Sequence, residues 1–300
     1  MIHGIINVYK EKGYTSHDVV AKMRGILHQK KIGHTGTLDP DAEGVLPVCL
    51  GAGTKLCDML TDRDKEYRAV LLLGKATDTQ DISGTVISSS EEIPDEDVIR
   101  QAVMSFTGEY DQIPPMYSAL KVNGKKLYEL AREGKTVERQ ARRVWIHQIV
   151  IEEIALPRVT MTVSCSKGTY IRTLCHDIGE KLGCGGCMES LLRTKAGVFC
   201  LEESVRLSQL QELARKGNIE EAVTPVDEMF VQYPRCHTTE KADRLLYNGN
   251  ALEIQQFDVR DRQDIPEKIR VYDSKGKFCG IYMYHADRKK YLPVKMFLEG

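Results

Sequence analysis

The stretch Gly33-His34-Thr35-Gly36-Thr37-Leu38-Asp39-Pro40-Asp41-Ala42-Glu43-Gly44-Val45-Leu46-Pro47-Val48 decides how the rest of the chain is read. Gly33, Gly36, Pro40 and Gly44 interrupt any helix or strand through it, which predicts an ordered loop. Its far end, residues 45–50, is a short apolar run of the kind that forms a buried strand. Carboxylates, a histidine and two threonine hydroxyls sit inside the loop, and a rigid loop feeding a core can hold a reactive carboxylate in one geometry. Cation and phosphate readings fail on spacing. Asp39-x-Asp41-x-Glu43-Gly44 begins like a calcium loop, but its twelfth position is Leu50 rather than a bidentate glutamate. Gly51-Ala52-Gly53-Thr54-Lys55 lacks the Walker spacing, and no GxGxxG precedes a helix. Asp41 and Glu43 read as solvated turn acids.

The same sixteen residues resemble the signature loop GHxGTLDPxAxGxLxV of the TruB family of pseudouridine synthases, at every fixed position. That family acts on the uridine at position 55 of tRNA, in the TΨC loop. The resemblance implies that Asp39 is the catalytic aspartate and that Asp41 and Glu43 occupy variable places. It extends over roughly the first two-thirds of the chain. Lys10, Gly13 and Thr15-Ser16-His17-Asp18 match KPxGxTSHD, with Glu11 where proline is usual. Tyr67 matches the tyrosine of K-x-Y-x-x-x-x-x-L-G, and Asp78-Thr79-x-Asp81-x-x-Gly84 matches a family turn. Gln112 to Gly124 resembles Q-x-P-P-x-Y-S-A-x-K-x-x-G.

Gly168-x-Tyr170-Ile171-Arg172 matches a segment whose arginine pairs with the catalytic aspartate, which gives that role to Arg172. The resemblance further implies that Tyr67 stacks on the target uracil, that Leu191 packs on it, that Tyr170 lies in the substrate site and that His34 fills the space a flipped base leaves. Leu192 stands where L-R-R-T-x-x-G-x-F has its first arginine, and Cys187 where a histidine is usual.

Composition bounds the remainder. With 300 residues, 42% of them apolar, the chain has material for one large and one small domain. No run approaches the roughly 18 apolar residues of a membrane span, and residues 1–4 show no export pattern, so a cytoplasmic protein is expected. Nine cysteines, scattered among apolar positions, read as reduced thiols. Cys184-Gly-Gly-Cys187 is a lone CxxC on the same expected helix as Cys175 and His176, and no metal is assigned to it. Net charge is only −1, but residues 121–143 carry eight basic side chains against three acidic ones while residues 78–111 are acidic, a segregation that presents one basic face.

Thr15 and Asp18 form a capping box before apolar residues at helical spacing. Residues 94–106 predict a helix with Val98, Ile99, Ala102 and Val103 inward. In residues 159–165, Val159, Met161, Val163 and Cys165 alternate with polar residues as one face of a strand. Beyond residue 229 several short strands follow one another. The expected fold is α+β: a mixed, largely antiparallel sheet with flanking helices (residues 1–228) and a small C-terminal β domain (229–300) comparable to the RNA-binding PUA type.

The expected function is isomerisation of uridine to pseudouridine after base flipping. The catalytic residues would be Asp39, Arg172 and Tyr67, with His34, Tyr67, Tyr170 and Leu191 binding substrate. No cofactor is expected, because the isomerisation carries no net redox change. The partner is the tRNA TΨC stem-loop, with no membrane, no obligate protein partner and a monomeric chain. Two other readings compete: a carboxylate-based nucleoside or glycoside hydrolase using Asp39 with Asp41 or Glu43, and a non-catalytic RNA-binding protein or chaperone.

Overall fold

The computed structural model describes residues 1–122, 124–258 and 265–298; the other positions of the expected C-terminal domain, 259–264 and 299–300, lie outside the described residues. In chain order the first elements are β1 (Gly4–Lys10), α1 (Ser16–Leu27), β2 (Ile32–His34), β3 (Glu43–Leu50), α2 (Cys57–Thr61), β4 (Lys65–Leu73), β5 (Lys75–Thr77), β6 (Val86–Ser89), α3 (Glu96–Met104) and β7 (Gly108–Gln112). Then come β8 (Lys121–Val122), β9 (Lys125–Lys126), α4 (Leu127–Arg132), β10 (Arg142–Ala155), β11 (Arg158–Cys165), α5 (Ile171–Leu182), β12 (Gly186–Ala196), β13 (Phe199–Cys200) and α6 (Leu207–Lys216). The last are β14 (Arg235–His237), α7 (Asp243–Tyr247), β15 (Leu252–Glu253), β16 (Lys268–Tyr272), β17 (Phe278–His285) and β18 (Lys290–Met296).

A nine-stranded sheet runs β1-β3-β12-β4-β11-β10-β7, with β2 added to β3 and β13 to β12. Its pairings are antiparallel except β12 with β3, so the expected mixed, largely antiparallel sheet is what forms. β3 is buried from Gly44 to Leu50 because both its faces are covered, the condition under which a strand reads as a continuous apolar run. Leu46, Val48 and Leu50 pack with Val19, Val20 and Met23 of α1 and Leu207 and Leu210 of α6. Val45 and Cys49 face the other way, toward Leu56, Leu60, Phe230 and Phe297.

Local chemistry sets the helix ends. The Thr15 side chain accepts from the Asp18 N–H while the Asp18 carboxylate accepts from the Thr15 N–H, as the capping box requires. α3 is capped by Asp95 and buries Ile99, Ala102 and Val103, but Val98 is 45% exposed. Val98 lies about 100° round the helix from Ile99 and falls at the edge of the apolar arc, so its expected inward position is corrected. β11 buries Val159, Met161, Val163 and Cys165 in strict alternation. The CxxC does not lie on one helix: α5 ends at Gly183 (φ 74°), Cys184 follows in the turn, and Cys187 is already in β12.

A five-stranded sheet, β14-β16-β17-β18-β15, closes the chain over its own core of Leu246, Leu252, Phe257, Ile269, Val271, Tyr282 and Tyr291. It is welded to the large sheet. The rings of Phe230, Phe278 and Phe297 lie 5.5–6.3 Å apart and pack with Leu56, Leu60 and Phe199. The Lys55 ammonium donates to the Met296 and Leu298 carbonyls at 2.9 and 3.4 Å. Among the described residues no helix is long and apolar enough to cross a membrane.

Candidate active site

The loop between β2 and β3 owes its shape to groups outside it. The Ser16 hydroxyl, in the first turn of α1, accepts from the Leu38 N–H at 2.9 Å. Lys10, fully buried at the end of β1, donates to the carbonyls of Pro40 (3.1 Å) and Ala42 (2.5 Å). The Gly13 N–H also reaches Pro40, and Thr35 bonds Pro47. From β12, Arg193 donates through Nε to Val45 at 2.6 Å and through Nη2 to Gly36 at 3.3 Å. Gly44 has φ 105°, and a Cβ there would fall 2.3 Å from the Arg193 carbonyl, so only glycine lets β3 meet β12 at that point.

Asp39 stands at the crest of this stapled loop. Arg172, the second residue of α5, offers its Nη2 to Asp39 Oδ2 at 3.1 Å and Oδ1 at 3.3 Å. The same nitrogen donates to the Tyr117 carbonyl at 2.8 Å, and Nη1 lies 3.7 Å from Asp81 Oδ2. The Arg172 side chain is 7% exposed and that of Asp39 41%. Crowding by protein atoms pushes the Asp39 carboxyl above the ordinary carboxylate range; the Arg172 guanidinium opposes that push, and the charges of Asp81 and Asp41 add to it. Asp81 is held in its turn by Thr79 and Ser83, and Gln80 ties that turn to Thr173 of α5.

Tyr67 lies in β4, cross-strand from Arg193, and burial raises its phenol while the Arg193 cation opposes the rise. Tyr170 caps α5 and is fixed through its backbone N–H and C=O by the Gln112 amide at 2.8 and 2.9 Å. Leu191 is partly buried against the cluster that contains Leu38 and Tyr67. His34 packs edge-on against His17 at 5.2 Å rather than against the Asp39–Arg172 pair. Its Nδ1 accepts from the Gly36 N–H, and burial, with His17 and Arg193 nearby, holds its pKa down to about 4, so the ring is neutral.

The structure thus brings Asp39, Arg172 and Tyr67 to one place, with Tyr170 and Leu191 alongside. Glu43 is not simply solvated: it is half-buried and accepts from the Tyr9 hydroxyl at 3.2 Å, so that expectation is corrected. Asp41 is exposed. The residues sequence reasoning passed over as functional are Lys10, Arg193, Asp81 and the Tyr117 carbonyl. The first three stood inside quoted motifs, but nothing in their spacing reveals that they act on the loop or on Arg172.

The basic segment 121–143 is largely exposed, and part of its charge is already balanced. Arg143 meets Asp111 and Glu109 at 3.1 and 3.4 Å, and Lys125 and Lys135 meet Glu133.

The chain that carries this carboxylate on its stapled loop, gripped by a buried guanidinium, belongs to the TruB family of pseudouridylate synthases. The family model "TruB family pseudouridylate synthase (N terminal domain)" matches residues 24–171, and "tRNA pseudouridylate synthase B C-terminal domain" matches residues 172–231. The chain is accordingly an enzyme of the isomerase class. Among its relatives, tRNA pseudouridine synthase B of Lachnoclostridium phytofermentans is 54% identical, covering 99% of this chain and 100% of its own. The protein of the same name from Alkaliphilus oremlandii is 45% identical, covering 99% of both. Solved neighbours include a Cbf5–Nop10–Gar1 complex (TM-score 0.71, 28% identity, 99% of this chain and 85% of that one). Another is an H/ACA ribonucleoprotein bound to a substrate RNA containing 2′-deoxyuridine (TM-score 0.70, 26% identity, 99% and 85%).

Proposed function

We propose that this chain isomerises uridine to pseudouridine in the TΨC loop of tRNA, with Asp39 as the reacting carboxylate. The observation that carries the reading is the Asp39–Arg172 contact at 3.1 Å on a loop whose backbone is held from three directions. The reaction breaks the N1–C1′ bond, rejoins the ring through C5 and releases the C5 proton. An ionised carboxylate serves both demands, as nucleophile and then as base. Arg172 keeps it ionised and aimed against the burial that would protonate it.

The target base must leave its stack, at a cost of a few kcal/mol. Stacking on the Tyr67 ring would return about 1–3 kcal/mol of that. Leu191 and Tyr170 complete the pocket, and neutral His34 is suited to enter the vacated stack because it carries no charge to desolvate. The exposed cations of residues 121–143 bind phosphates, and residues 229–300 form a second RNA-binding unit.

The test is to incubate the protein with an unmodified tRNA transcript labelled with tritium at uracil C5, and to follow both tritium release and the position of the pseudouridine formed. Catalytic release with pseudouridine in the TΨC loop, abolished by Asp39→Asn, is the expected result. Release of free uracil would select the hydrolase reading, and a stoichiometric effect without turnover the chaperone reading.

A further inference from the structure

Gln112, the last residue of β7, is 1% exposed, and both ends of its amide are used on one residue. Its oxygen accepts from the Tyr170 N–H at 2.8 Å, and its nitrogen donates to the Tyr170 carbonyl at 2.9 Å. Which end is oxygen and which nitrogen is forced, because a backbone N–H only donates and a carbonyl only accepts. The side chain thus pairs with Tyr170 as a neighbouring strand would. Tyr170 is the N-cap of α5 and makes no side-chain cap of its own, while its carbonyl also accepts the helical bond from Leu174 at 3.1 Å. The first turn of a helix has N–H groups without helical partners, so what holds it comes from outside.

The chain leaving Gln112 returns to the same turn. Pro114 and Pro115 are buried and fix two φ angles. Arg139 donates to the Pro114 carbonyl at 3.0 Å, and the Tyr117 carbonyl accepts from Arg172 Nη2 at 2.8 Å. One short, stiffened segment therefore grips α5 at two points, the Tyr170 peptide through a side chain and the Arg172 guanidinium through a backbone carbonyl. Thr173 is anchored separately, its hydroxyl donating to Gln80 Oε1 at 2.7 Å. Losing Gln112 would free the start of the turn while its far side stayed pinned, which tilts the turn that carries Arg172 rather than melting the helix.

We propose that Gln112 is a positioning residue: by locking the Tyr170 peptide it fixes the first turn of α5, and with it the line along which Arg172 meets Asp39. The inference rests on the reading of Asp39 and Arg172 given above, and Gln112 acts through them. Asp39 faces the cations Arg172 and Lys10 and the anions Asp81 and Asp41, and of these only Arg172 lies on the turn that Gln112 holds.

Gln112→Met keeps the length of the side chain and removes both strong hydrogen bonds. The experiment reads kcat and KM across pH by tritium release from C5-labelled tRNA transcript, with thermal melts, for wild type, Q112M, R172M and the double variant. Q112M is expected to lower kcat about tenfold at neutral pH, the size of one hydrogen bond. It is also expected to move the acid limb of kcat/KM to higher pH, the direction expected of R172M, and to leave that limb in place in the R172M background. An acid limb unmoved in Q112M, whatever its activity, would mean that Gln112 only supports the fold, and would overturn the proposal. So would a shift of equal size in both backgrounds. Should Q112M fail to fold, Gln112→Asn decides by the same two outcomes, since its amide is one methylene too short to meet both Tyr170 groups. Normal turnover in Asp39→Asn would sink the functional reading, whereas an inactive D39N with an unmoved limb in Q112M would sink this inference alone.

Discussion

Replacing Asp39 by asparagine removes the carboxylate proposed to react and the charge that faces Arg172, and the two consequences differ greatly in size. Removing one member of a fully buried ion pair costs about 3–5 kcal/mol, because the other charge is stranded. Here that ceiling does not apply. The Asp39 side chain is 41% exposed, and Arg172 keeps the Tyr117 carbonyl at 2.8 Å and Asp81 at 3.7 Å.

The direction of the Asp39 shift points the same way. Its folded-state pKa lies above the unfolded value, so the carboxyl contributes stability below the unfolded pKa and loses that contribution as pH climbs through the folded one. At neutral pH the ionised form is what the fold disfavours, and asparagine, uncharged and of equal size, relieves it. The expected stability change at pH 7 is within about 1 kcal/mol in either direction, or about 2–4 °C in Tm for a chain of this size class. Turnover should fall at least about a thousandfold, measured as tritium released from C5-labelled tRNA, with tRNA affinity nearly unchanged. A Tm loss beyond about 8 °C, or turnover near wild type, would refute the reasoning: the first because Arg172 would then depend on Asp39 alone, the second because the carboxylate would not be the reacting group.

Raising the Asp39 pKa should place the acid limb of kcat/KM above the ordinary aspartate value of about 3.9, and Arg172→Met should move that limb higher still; a pH–rate profile whose acid limb stays put in R172M would show that the guanidinium does not act on Asp39. In the basic segment, K126Q and R142Q should flatten the dependence of tRNA affinity on salt by about one unit of slope each, whereas R143Q should flatten it less because Arg143 already meets Asp111 and Glu109; equal effects from all three would put the binding face elsewhere. Phe297→Ala, at the junction of the two sheets, should cost about 3–5 kcal/mol in chemical denaturation, and a loss under about 1 kcal/mol would mean that the aromatic cluster does not tie the sheets together.

Most of the large sheet was legible because its strands carry strong periodicity: β11 alternates, β3 is a continuous apolar run, and α1 opens with a capping box. The short pieces were not. β8 and β9 are two residues each, β14 and β15 three and two, and such lengths hold no period to read; β8 and β9 pair only with each other across a turn, and β14 and β15 exist because β16 and β18 offer edges. Val98 was misplaced because it borders the apolar arc of α3 rather than lying within it. Asp39, Tyr67 and Arg172 were assigned through a resemblance, and their meeting spans more than a hundred residues of chain, which no local pattern encodes. Lys10 and Arg193 escaped assignment for a related reason. A buried cation bonded to carbonyls leaves no charged partner in the sequence to betray it.

Arg172 Nη2 has two hydrogens, yet three oxygens stand within reach of it: both of Asp39 and the carbonyl of Tyr117. One of the three is always short of a proton. Tyr117 belongs to the stretch that leads into the basic segment, so the contest is between the Asp39 carboxylate and a piece of backbone beside the exposed cations. Any displacement of that backbone frees a hydrogen, and the carboxylate takes it up, gaining a second bond and with it a lower affinity for protons. The bonding of Asp39 is thereby tied, through a single shared nitrogen, to the position of the Tyr117 backbone.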